Sequence, residues 1–123
     1  MAGDRLSISL LGPFEVTLNH EAMTDFRSDT ARALLAYLAM QPGAPHRRDA
    51  LAGLFWPDRP NATALRNLRT TLSRLRDAIG DREADPPFLE ATRRTLELVQ
   101  DDRITVDVWA LRHALAATER HDH

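Results

Sequence analysis

The sequence predicts an α+β domain, with a small N-terminal antiparallel sheet, a three-helix core, a C-terminal β-hairpin and one further helix. Three observations carry this. Short runs with period-2 alternation fill residues 6–26. Apolar residues then recur at helical spacing in three successive stretches punctuated by Gly and Pro. Two apolar-bearing runs follow, flanking the turn sequence Thr92-Arg93-Arg94-Thr95. A period of two places alternate side chains on one face of a strand, whereas a period of 3.6 places them along one stripe of a helix.

Taken in order, Leu6–Leu11 and Phe14–Leu18 read as two strands joined by a tight turn at Gly12-Pro13. Asn19-His20-Glu21 is a second turn, and Ala22–Phe26 holds one or two further short strands. Ser28 or Asp29 can cap a helix from Thr30 to Gln41, because a short side-chain oxygen accepts from an otherwise orphaned amide of the first turn. Ala31, Leu34, Leu35 and Leu38 form its apolar face, and Pro42-Gly43 stops it. A second helix, Arg47–Phe55, turns Leu51, Leu54 and Phe55 to the core, with Trp56 closing the core's end. Pro57-Asp58-Arg59-Pro60 forms a rigid loop.

The third helix begins at Asn61 or Thr63 and ends at Gly80. Leu65, Leu68, Leu72, Leu75 and Ile79 recur at steps of three and four, which makes a dry stripe. Arg66, Thr70, Ser73 and Arg74 point away from it, and Arg69 and Arg76 flank it. Arginine forks match phosphate oxygens and the O6/N7 edge of guanine, so such a helix suits the major groove of DNA. Asp77 also lies outward, where it repels phosphate and marks the edge of contact. Asp81–Pro87 is a polar connection to the hairpin Phe88–Ala91 and Leu96–Val99. Asp107 then caps Val108–Glu119, whose Val108, Leu111 and Leu115 form another stripe.

Composition narrows the class. The chain has 123 residues, 43% hydrophobic and 28% charged, the balance of a soluble globular protein. It has no cysteine, which excludes disulfides, thiolate metal sites and cysteine nucleophiles. Nothing resembles a signal peptide or a membrane span, so a cytoplasmic location without membrane contact is expected. The net charge of −2 argues against nucleic acid, but its distribution argues for it. Residues 41–80 hold seven arginines against three aspartates, a local +4. Affinity for phosphate follows the contacting face rather than the whole chain.

Strands, three helices with the last long and basic, and a hairpin follow the order of a winged helix-turn-helix. FRSDTARALLAYLAMQPGAPHRRDALAGLFWPD, NLRTTLSRLRDAI and FLEATRRTLELV resemble the effector domain of OmpR/PhoB-type response regulators, its recognition helix and its wing. Within that class, LLGPFEV, FRSDTARALLAYLA, HRRDALAGLFWPDRP and NLRTTLSRLRDAIGD resemble the SARP-type bacterial transcriptional activators. The resemblance covers residues 6 to about 99. DVWALRHAL, residues 107–115, is similar to the opening helix of the bacterial transcriptional activator domain that follows in that family. The resemblance thus implies a winged helix over 1–100, and over 101–123 a linker and the first helix of a truncated helical activator domain. It also implies binding to direct-repeat DNA and recruitment of RNA polymerase. One departure stands out: the second helix has His46-Arg47 where these families commonly have a hydroxyl cap.

The candidate DNA-binding residues are therefore Arg66, Asn67, Arg69, Thr70, Ser73, Arg74 and Arg76 on the third helix. Arg48 at the start of the second helix joins them, with Thr92, Arg93 and Arg94 at the hairpin tip. Arg66 and Arg74 are assigned to base readout, and Arg48, Arg69 and Arg76 to phosphates. The resemblance places the hairpin tip at the adjacent minor groove. The rival from another class is a winged helix that docks on an acidic protein partner. Against it, the outward face mixes guanidiniums with short hydroxyls and lacks an aliphatic or aromatic anchor. An enzyme is not expected, nor any metal or cofactor: the five histidines are scattered, and His121-Asp122-His123 reads as a frayed tail. The isolated chain is expected to be monomeric off DNA.

Overall fold

The computed structural model describes residues 4–41 and 43–121, with side chains as far as Thr118. Pro42 and the side chains of His121-Asp122-His123, for which a helix stop and a tail were expected, lie outside the described residues. The elements are β1 (Leu6–Ser9), β2 (Glu15–Leu18), β3 (Glu21–Ala22), α1 (Asp29–Met40), β4 (His46–Arg47), α2 (Arg48–Phe55), α3 (Asn61–Ala78), β5 (Leu89–Ala91), β6 (Thr95–Leu98), β7 (Ile104–Val106) and α4 (Asp107–His121). They form the expected winged helix-turn-helix: an N-terminal sheet, three core helices and the β5–β6 wing.

The N-terminal sheet runs β3-β2-β1-β7. Its first three strands pair antiparallel, with Leu6 opposite Leu18 and Ile8 opposite Val16. The fourth corrects the sequence reading. Ile104–Val106, assigned there to a linker, pairs parallel with β1, so the sheet is mixed and the N-terminal unit extends past residue 100. Parallel strands need a long crossover; here everything between β1 and β7 supplies it. Leu6, Ile8, Val16, Ile104 and Val106 turn inward, as period-2 alternation requires.

Ser28 caps α1, its Oγ accepting from the Ala31 amide at 3.1 Å. Ala31, Leu34, Leu35 and Leu38 are all buried as expected, with Ala39 beside them. In α2 the inward residues are Leu51 and Ala52, with Phe55 half-buried, whereas Leu54 is 54% exposed. Leu54 lies on the far side of Leu51 from Ala52 and Phe55, so the helix phase that buries those two carries it into solvent. No side chain caps α2, consistent with the missing hydroxyl. Trp56 and Phe55 pack on the core with ring centroids 5.9 Å apart. In α3, Leu68, Leu72 and Leu75 are buried with Ala64, Thr71 and Ala78, and Leu65 is only half-buried. Gly80 adopts φ +69°, where a side chain is strained, and a Cβ there would lie 2.8 Å from Leu18 Cδ2.

α4 is anchored by its first turns. Trp109 Nε1 donates to the Ala39 carbonyl and Arg112 Nη1 to that of Met40, both at 2.6 Å, satisfying carbonyls that the end of α1 leaves open. Val108 is buried, but Leu111 and Leu115 are 45% and 57% exposed, so the expected stripe is covered only at its start. Asp107 accepts from the Leu10 and Leu11 amides at 2.9 and 3.0 Å and from Ser9 Oγ at 3.1 Å. The Leu10 amide bond, aided by those of Leu11, Ser9 and Val108 against a burial penalty, holds this carboxyl below the usual carboxylate range. A depressed native pKa contributes stability that is complete above the unfolded value, about 3.9 for aspartate, and is lost as pH falls through the native value. The denaturant-midpoint difference between the parent and Asp107→Asn is therefore expected to be largest near neutrality and to close below about pH 4. A pH-independent difference would show that the carboxylate charge contributes nothing to this latch.

Candidate nucleic-acid interface

The buried side of α3 fixes what the rest of the helix presents. Arg66, Thr70, Ser73 and Asp77 stand opposite the buried row at about 100° per residue, and all four are exposed. Asn67, half-buried, and Arg74, exposed, lie on one flank. Arg69 and Arg76 lie on the other, which faces α2 and the wing.

On that second flank the chain concentrates arginine. β4 pairs antiparallel with β6, His46 opposite Leu96 and Arg47 opposite Thr95, which draws the wing against the start of α2. The Arg48 amide donates to the Arg94 carbonyl at 2.8 Å, so this first-turn donor, one of those available for an anion, is taken by the wing. Between α2, α3 and the wing tip lies a groove of about 280 Å³ lined by Arg47, Arg48, Arg69, Arg93 and Arg94 with the single carboxylate Asp49. Arg47 pairs with Asp49 at 3.5 Å. Burial, then the charges of Arg76 and Arg69, hold the Arg48 guanidinium below the ordinary arginine range. Its buried Nε has no hydrogen-bond partner among the described residues. Such a cluster attracts an anion, because a phosphate would relieve like-charge repulsion that Asp49 and Asp81 offset only in part.

The wing tip is preorganised. Thr92 Oγ1 accepts from the Arg94 and Thr95 amides at 3.2 and 2.9 Å and lies 2.7 Å from Thr95 Oγ1. Thr92 thus shapes the turn that presents the exposed Arg93 and Arg94. Arg76 is engaged differently from Arg48 and Arg69. It is 29% exposed, and its Nε lies 3.6 Å from Oδ2 of Asp81, a carboxylate only 3% exposed. At the outer side of the same helix end, Arg82 Nε donates to Asp77 Oδ1 at 2.6 Å and its Nη2 to Ser73 Oγ at 2.8 Å. The sequence reading missed Arg47, Arg82 and Asp81. For the first, the signal was its place in a run of two arginines; for the others, it was the spacing of five residues across the Gly80 turn.

A family model for the C-terminal domain of transcriptional regulatory proteins matches residues 27–95, from the approach to α1 through the wing tip. The chain belongs to this family. Its members are transcription-regulator DNA-binding domains, and the matched span contains every candidate residue named above. Among solved structures, Mycobacterium tuberculosis EmbR, in complex with a low-affinity phosphopeptide, is similar at 29% identity with a TM-score of 0.69. The match covers 85% of this chain and 27% of EmbR, so the chain spans about a quarter of that protein's length. No curated protein matches. The OmpR/PhoB-type winged helix and the SARP-type resemblance both agree with these matches. No helix among the described residues is long and apolar enough to cross a membrane.

Proposed function

We propose that this chain is the sequence-specific DNA-binding domain of a bacterial transcriptional activator, with α3 in the major groove and the wing at the adjacent minor groove. The observation that carries the reading is the groove where five arginines face one aspartate and Arg48 lies among like charges. Arg48 and Arg69 hold phosphates there, with Arg76 contributing while braced by Asp81. Arg66 and Arg74 read base edges, and Asn67, Thr70 and Ser73 tune the preference. Arg93 and Arg94 enter the minor groove, whose negative potential favours inserted arginine. Direct-repeat operators, RNA polymerase recruitment and a following helical activator domain opening at α4 rest on the SARP-type resemblance.

Selection of bound DNA from a random pool tests this, with repeated half-sites about one helical turn apart as the expected outcome. On the selected site, Arg66→Ala or Arg74→Ala is expected to cost about 1–3 kcal/mol and to relax preference at one or two base pairs. Arg69→Ala is expected to weaken all sequences alike and to lower the salt slope by about one unit. Parent-like binding by both Arg66→Ala and Arg74→Ala would overturn the assignment of the α3 face.

A further inference from the structure

Asp77 sits on the outward face of α3, seven residues after Thr70 and four after Ser73, among the groups that meet DNA in the reading above. An unpaired carboxylate there would repel phosphate, and it would do so where Ser73 must approach a base or backbone oxygen. The fold supplies an answer from outside the helix. Gly80, at φ +69°, reverses the chain beyond the helix end, and Arg82 returns along the outer face. Its guanidinium forks onto Asp77 Oδ1 and Ser73 Oγ at 2.6 and 2.8 Å. Arg82 and Asp77 remain 50% and 48% exposed, so the pair borders solvent and lies within reach of a docked duplex.

We propose that Arg82 is a positioning residue for DNA recognition: it neutralises Asp77 and, by donating to Ser73 Oγ, turns the serine hydroxyl hydrogen outward as a donor. This inference rests on the proposal that the α3 face meets DNA. Asp77 and Arg82 together form a neutral edge, and Ser73 favours acceptor groups, phosphate oxygens or the N7 and O6 of purines. A direct phosphate contact by Arg82 is the competing role, and the two differ in how they depend on Asp77. If Arg82 acts by cancelling a carboxylate, removing the carboxylate makes it dispensable.

The test is a double-mutant cycle on the selected DNA site with the 123-residue chain, comparing Arg82→Ala, Asp77→Asn and the pair, with Arg66→Ala as a reference. Arg82→Ala is expected to weaken binding about fivefold, the effect of one uncompensated unit charge facing phosphate across water. Combined with Asp77→Asn it is expected to return to within about twofold of the parent, inside the additivity of such cycles. Thermal melts of each variant report on folding independently of DNA. A double variant that binds about fivefold more weakly than Asp77→Asn alone would mean a direct phosphate contact and overturn the proposal. Parent-like binding by Arg82→Ala would also overturn it, provided Arg66→Ala loses affinity. If Arg66→Ala binds like the parent as well, the α3 face does not meet DNA and the underlying reading falls with it.

Discussion

Phe88→Ala is expected to lower the unfolding free energy by about 3–5 kcal/mol, a large share of the 5–15 kcal/mol typical of whole domains. Phe88 is fully buried in the core beside the wing. Its amide donates to Asp81 Oδ1 at 2.6 Å, and its carbonyl accepts from Val99 at 3.0 Å. The ring is covered by the Arg103 guanidinium, 4.7 Å from its centroid. That guanidinium is held by Asp101 and by the carbonyls of Pro86 and Pro87. Truncation therefore leaves a cavity where the wing, the end of α3 and the segment leading into β7 converge, and backbone bonded on both sides of the ring resists collapse into it. Equilibrium denaturation reads the effect, and a midpoint within error of the parent would show that the wing is not part of the cooperative core. Phe88→Leu, which keeps most of the volume, should recover much of the loss.

Local signals were legible in the sequence, and distant ones were not. The Ser28 cap and the α1 face depend only on neighbours within a few turns, and they formed as the spacing requires. Arg66, Thr70 and Ser73 on α3 followed from the leucine stripe in the same way, although Arg74 lies on a flank and the half-buried Leu65 lines the arginine groove. β7 escaped because a three-residue strand shows too short a period to stand out, and its partner β1 lies at the other end of the chain. Its β-branched Ile104-Thr105-Val106 run was the one signal available. Leu54 and Leu111 illustrate another limit. An apolar residue at helical spacing marks a face, but the packing of neighbours decides which part of that face is covered. At the interface, the arginines were visible as residue types, while their pairing was not. Which of Arg76 and Arg82 meets Asp77 or Asp81 is decided by the turn through Gly80, and that geometry sends one pair inward and the other out.

Asp81→Ala is expected to destabilise the chain by about 2–5 kcal/mol, with the wing affected first. Sequence alone places this residue in a polar connection, where a solvated carboxylate could be lost at little cost. In the fold it is 3% exposed. Oδ1 accepts from the Phe88 and Leu89 amides at 2.6 and 3.0 Å, fixing the entry to β5, and Oδ2 faces Arg76 Nε at 3.6 Å. Alanine leaves both amides buried without an acceptor, each costing roughly 1–3 kcal/mol, and releases Arg76 beside the already crowded Arg48. Asp81→Asn separates these contributions. Its carbonyl oxygen can still receive the two amides while the charge opposite Arg76 is gone, so it should retain most of the stability that alanine loses. Hydrogen exchange at the Phe88 and Leu89 amides provides the local readout, with faster exchange in Asp81→Ala than in Asp81→Asn. Equal exchange and an unchanged midpoint in the alanine variant would show that the amides find another acceptor.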